Sequence, residues 1–95
     1  MDLKTPPNMK IIPIDKIGSS KTDSLSSKLT MQQITNILGF PPNCQDDVSK
    51  VKYSWGFEIN GHHCGIWDYK GSRWSVYDPR GALRSSSIFE GFWNE

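Results

Sequence analysis

Between Val51 and Tyr69 the chain has few folds open to it. Val51, Tyr53, Trp55, Phe57 and Ile59 alternate with Lys52, Ser54, Gly56 and Glu58. That is the period of a strand with one apolar and one polar face. Asn60-Gly61 follows, the pair best suited to a two-residue type I′ turn, and His62 to Tyr69 return as a second strand. A two-residue turn sets the register. On one face Ile59 meets His62, Phe57 meets Cys64, Trp55 meets Ile66 and Tyr53 meets Asp68. On the other, Glu58 meets His63, Gly56 meets Gly65, Ser54 meets Trp67 and Lys52 meets Tyr69. The first face is expected to form a core. The second has a glycine floor at Gly56 and Gly65, flanked by Trp67, Tyr69 and Lys52, which lets another backbone, ring or partner approach closely.

A third strand is expected over Arg73 to Tyr77, and its register is open. A two-residue Gly71-Ser72 turn places Trp74 and Val76 with Trp67. A three-residue connection places them on the core face and leaves Arg73, Ser75 and Tyr77 beside Trp67 and Tyr69. The second is favoured, because the first gathers Trp67, Tyr69, Trp74 and Val76 into an apolar patch that itself demands a cover. Asp78-Pro79-Arg80-Gly81 has the residue order of a type I turn. Residues 82–93 are expected to form a short helix or an irregular segment whose rings, Phe89, Phe92 and Trp93, dock on the core.

Before the hairpin lies one well-marked helix over 30–38. Thr30 and Gln33 form a capping box, and Leu29 can staple onto Ile34. Met31, Ile34, Ile37 and Leu38 share a face. Gly39 suits the left-handed cap, and Pro41-Pro42 forbid continuation. So short a helix needs a sheet to lie on. Upstream, Lys10 to Ile14 is an edge strand at best, because Pro13 cannot donate to a ladder. Residues 1–9 read as a tail and Ile17 to Lys28 as a loop. Cys44 to Lys50 reads as a polar connection. The fold class is α+β: an antiparallel sheet of three to four strands, the 30–38 helix on its Tyr53/Trp55/Phe57 face, and a single domain over 10–95.

With 36% hydrophobic and 12% aromatic residues, large rings must supply much of the burial. Eleven basic and ten acidic residues nearly cancel, so long-range attraction to nucleic acid or an anionic membrane is not expected. Lys70, Arg73, Arg80 and Arg84 cluster late in the chain and leave room for a local anion site. No apolar run reaches the roughly 18 residues of a membrane span, and no signal peptide is apparent. A soluble, cytoplasmic protein with Cys44 and Cys64 as reduced thiols is expected.

Residue types that can do chemistry are present, but not in a complete signature. His62, His63 and Cys64, with Cys44 and Asp46/Asp47, are zinc-ligand types without a CxxC or HxxxH pair. Cys64 beside two histidines and Asp68 has the composition of a Cys–His nucleophile, but it faces the core, where a thiolate is unfavourable. The glycines around 61–65 and 70–73 match no Walker pattern. No catalytic residue, metal or cofactor is assigned. Trp67, Tyr69, Lys52, Lys70, Arg73 and Tyr77 are the candidate binding residues: rings interleaved with cations suit a protein hot spot or a base-stacking platform. The competing reading is that a second layer, such as 82–93, covers that face.

The runs Ser54-Trp-Gly-Phe57, Gly65-Ile-Trp-Asp-Tyr-Lys-Gly-Ser72 and Trp74-Ser-Val-Tyr-Asp-Pro79 resemble small uncharacterised proteins carried by phages and mobile elements. The similarity spans about residues 28–90, with the Leu-Thr-x-x-x-Ile-x-x-x-Leu-Gly-Phe-Pro-Pro segment around Thr30. The resemblance implies an anti-defence inhibitor in the host cytoplasm, acting by occluding a larger protein or sequestering a signal nucleotide. The expected function is a non-enzymatic binding protein that occludes a larger protein, such as a bacterial defence component. The alternative is a binder of a nucleotide or signal molecule. A homo-oligomer is compatible with either; a membrane partner is not expected.

Overall fold

The computed structural model describes residues 10–15, 20–44, 51–69 and 74–93. Strands β1 (Ile11–Pro13), β2 (Asp23–Leu25), β3 (Val51–Ile59), β4 (His62–Tyr69) and β5 (Trp74–Tyr77) form one antiparallel sheet in the order β1-β3-β4-β5-β2. Helix α1 spans Met31–Leu38 and α2 spans Ala82–Ser86. The α+β class stands, but the sheet has five strands where three to four were expected. The added strand is β2, inside the stretch read as a loop. Asp23-Ser24-Leu25 has too few residues to show an alternation; it becomes a strand because β5 offers it an open edge. The expectations for 1–9, for 45–50 and for the 70–72 connection fall outside the described residues.

The hairpin register agrees with the pairing set by Asn60-Gly61 from Ile59↔His62 as far as Ser54↔Trp67. Asn60 and Gly61 have φ of 50° and 87°, as a type I′ turn requires. Beyond Ser54 the pairing departs from expectation, and Val51, not Lys52, lies opposite Tyr69. Lys52 and Tyr53 together oppose Asp68, whose Oδ1 accepts the N–H of Lys52 at 3.0 Å and of Tyr53 at 2.7 Å. The buried carboxylate thereby satisfies both donors of a β-bulge.

Trp74 pairs with Asp68 and Val76 with Ile66. This is the core-side register, and Trp74 lies against Trp55. One buried cluster holds Trp55, Phe57, Ile59, Cys64, Ile66, Trp74 and Val76 from the central strands. Leu25, Leu29, Ile34, Leu38, Leu83 and Phe89 join it from the other elements. The α1 residues among these are the ones its helical spacing selects. Its capping box is present, with Thr30 accepting from Gln33 N–H and Gln33 accepting from Thr30 N–H. Its C-terminus closes on Gly39 at φ 95°.

Both sheet edges are short. Flanking β1, Asn60 N–H donates to Lys10 O and Ile14 N–H donates to Gly56 O. Pro13 is in the intervening non-bonded position, so its missing N–H faces away from the ladder. Past Ile14 the edge is continued by Asn43. Its side chain donates to Ile14 O and Gly56 O and accepts from Gly56 N–H, while Asn43 and Cys44 N–H both reach Ser54 O. On the β2 edge, Ser26 N–H bonds Phe92 O, and Trp93 bridges to Leu25. Residues 82–93 therefore belong to the Trp55 side of the sheet, through Leu83 and Phe89, and not to the Trp67 side.

Candidate functional site

The face carrying Trp67 is not an open platform at its centre. Trp67 is 6% exposed, and its cross-strand neighbours Ser54 and Ser75 are 1% and 6% exposed. Gly56 and Gly65 are buried as well. Ser54 Oγ has no hydrogen-bond partner among the described residues. Tyr77 is half-buried opposite Gly65, and Lys52 is exposed with its ammonium 5.9 Å from the Tyr53 ring. Tyr69 closes β4. Lys70 and Arg73 lie outside the described residues. Of the six candidates from the sequence, the register brings Trp67 and Tyr77 to one face with Ser75 and Gly65.

Several other polar groups are held by the fold itself. Asp78 is 4% exposed and accepts Leu83 N–H at 3.0 Å and Arg84 N–H at 3.1 Å, serving as the anion at the start of α2. Its Oδ1 lies 3.6 Å from Cys64 Sγ. Burial, then the Asp78 charge, then the hydrogen bond to Asp78 push the Cys64 thiol up from 9.0 to about 12. Cys64 is therefore a protonated donor in the core, the opposite of an activated nucleophile. His63 lies on the other face, 3.0 Å from Glu58. Among the described residues, no group of three or more His, Cys, Asp or Glu stands together as a metal site. Arg84 reaches Asp23 at 3.2 Å and lies 4.3 Å from the centre of the Trp93 ring. It ties α2 to the β2 edge rather than facing an anion site.

A different place gathers side chains that the fold does not use. Between the β3–β4 turn and α2 lies a pocket of about 490 Å³, lined by Ile59, Asn60, His62, Arg80, Ala82, Ser85 and Ser86. Its size is in the range of small-molecule sites. Ile59 ends the apolar face of β3, and the type I′ turn throws Asn60 and His62 out beside it. The Asp78–Gly81 turn, closed by Gly81 N–H on Asp78 O, carries Arg80 to the opposite rim. Ser85 N–H bonds Gly81 O, which sets the first turn of α2 against that rim. Arg80 and His62 are exposed, and among the described residues neither side chain has a hydrogen-bond or ion-pair partner.

Of the lining residues, the sequence points to Arg80 within the late basic cluster, His62 as a zinc-ligand type and Asn60 as a turn residue; Ser85 and Ser86 carry no signal of their own in it. Their convergence depends on α2 folding back toward the hairpin tip, and nothing local in the sequence signals it. No protein-family model, curated protein or solved structure matches this chain.

Proposed function

We propose that this chain is a small binding protein and that its ligand occupies the pocket between the β3–β4 turn and α2. The observation carrying this reading is the contrast in use of polar side chains. Asp68, Asp78, Arg84, Asn43 and both core indoles are engaged in holding the fold. Arg80 and His62 line a concavity, and among the described residues neither side chain is engaged in holding the fold. A concave site with an apolar floor and a few convergent polar groups is the usual form of a small-ligand site. The test is a backbone-amide NMR screen with a panel of charged and neutral small molecules. Shifts clustered at Asn60, His62, Ala82, Ser85 and Ser86 are expected. A panel that moves none of them removes the reading.

A second reading is occlusion of a larger protein, the action implied by the resemblance to phage and mobile-element proteins. It draws on Ile12, a large hydrophobic residue that is 46% exposed. Ile12 stands opposite Glu58 on the edge strand β1, where an apolar anchor beside a charge suits a protein contact. Ile12→Lys is expected to lose a partner retained by the wild type in affinity capture. Equal capture by both proteins counts against it.

A further inference from the structure

The described polar wall of the pocket holds one cation, Arg80, and several neutral groups that can donate. Arg80 can only donate. Asn60 Oδ1 is occupied by the Lys10 N–H at 3.1 Å, which leaves the Asn60 Nδ2 amide as its available group. Ser85 has a hydroxyl without a partner among the described residues, and His62 has a ring with two nitrogens. Ser86 is different: its hydroxyl donates to Leu83 O at 2.6 Å and accepts from Ile88 N–H, so it is structural. Among the described residues, no carboxylate lines the cavity. Four groups able to donate thus converge from the hairpin turn, β4, the 78–81 turn and α2, with no anion among them. Beneath them Ile59 and Ala82 supply an apolar surface.

Such a wall selects an acceptor-rich anion, and the number and spread of donors narrow the class. A carboxylate offers two oxygens in one plane. A phosphate monoester offers three terminal oxygens pointing in different directions, which donors from four segments can share, with the guanidinium fork taking two. Resting on the pocket being the ligand surface, we infer that it takes a phosphate-bearing small molecule. Arg80 meets the phosphate with support from His62, Asn60 Nδ2 and Ser85, and the organic part lies against Ile59 and Ala82.

The experiment titrates the full chain with inorganic phosphate, adenosine monophosphate, adenosine and acetate, followed by amide shifts. Saturable shifts at Asn60, His62 and Ser85 are expected with adenosine monophosphate, weaker ones with phosphate, and none with adenosine. Arg80→Gln, at an exposed position whose side chain has no hydrogen-bond or ion-pair partner among the described residues, should keep the remaining spectrum and lose about tenfold or more in affinity, the usual weight of a charged hydrogen bond. Equal binding of adenosine and adenosine monophosphate, equal binding of acetate and phosphate, or an unchanged affinity in Arg80→Gln would each overturn the inference. Neutral molecules shifting the pocket while phosphate and adenosine monophosphate do not would also overturn it, leaving the pocket's role as a ligand site intact. If no compound moves the pocket, both fall together.

Discussion

Trp55 and Trp74 meet edge to face, with ring centroids 5.7 Å apart and planes at 63°, and each sends its indole N–H to a carbonyl beyond a different end of α1. Trp74 reaches Leu29 O at 2.6 Å, before the N-cap, and Trp55 reaches Phe40 O at 3.1 Å, past the C-cap. A short helix gains little from its own hydrogen bonds. Here its position is set by β3 and β5, the two strands that flank β4, through rings that also form the centre of the core.

Trp74→Phe keeps a ring in the core but leaves the Leu29 carbonyl without its donor. Because that bond is buried, the loss should be about 2 kcal/mol of unfolding free energy, near the middle of the range for an orphaned buried group. Trp55→Phe, whose bond is partly solvated, should cost about 1 kcal/mol. Urea denaturation checks both. The double variant should depart from additivity because the rings touch.

Asn43→Ala removes the amide that holds Ile14 and Gly56 together by three hydrogen bonds. A loss of about 2–3 kcal/mol is expected, as at other sites where several partly buried bonds are lost together. Hydrogen exchange should locate the damage, with faster exchange at Gly56 and Ile14 and little change in β5.

Asp68→Ala strips the bulge of the acceptor shared by the Lys52 and Tyr53 amides. Charge-assisted bonds of this kind contribute about 1.5–3 kcal/mol each, and the two share one oxygen, so a cost of about 3 kcal/mol is expected. Asp68→Asn keeps a carbonyl oxygen and should cost less. Thermal unfolding of the two variants gives the comparison.

The raised Cys64 thiol sets a pH dependence. In the unfolded chain the thiol ionises near 9.0, and in the folded chain at about 12. Between these values the folded state holds the proton that the unfolded state has lost. Stability is therefore fully present below about pH 9 and falls as pH rises toward 12, with a slope of up to about 1.4 kcal/mol per pH unit. Urea midpoints from pH 8 to 10.5 should show the decline, and Cys64→Ala should remove this contribution. In a Cys44→Ser background, the native protein should resist thiol-specific reagents at pH 8 and react on unfolding.

The legible parts of the fold were those written in neighbouring residues. The period-two alternation of 51–59 and the Asn60-Gly61 turn gave the hairpin and its pairing from Ile59 to Ser54. Thr30, Gln33 and Gly39 gave the helix ends. The bulge at Lys52 and Tyr53 was not legible, because alternation runs through it without a break. It exists because a carboxylate sixteen residues from Lys52 reaches two backbone donors at once. Strand β2 was hidden for a related reason: three residues carry no period, and pairing to β5 defines them. Trp67, Tyr69 and Lys52 are placed on an exposed face by hairpin parity, and Arg73 and Tyr77 by the favoured third-strand register; parity says which side of a sheet a ring is on and not whether that side is covered. Trp67 shows the difference, being on the expected face and yet buried.

The sequence by itself determined the hairpin, its register near the turn, the first helix and the two-sided character of the sheet, since each rests on interactions within a few residues or across a tight turn. It left the side of Trp74 open between two connections, and β5 pairing with Trp74 opposite Asp68 decided it. Only the tertiary structure brought Arg80, His62, Asn60 and Ser85 around one cavity. Those side chains come from segments joined by no shared pattern, and they converge because Leu83 and Phe89 bury themselves in the same core as Trp55 and Trp74, carrying α2 to the hairpin tip.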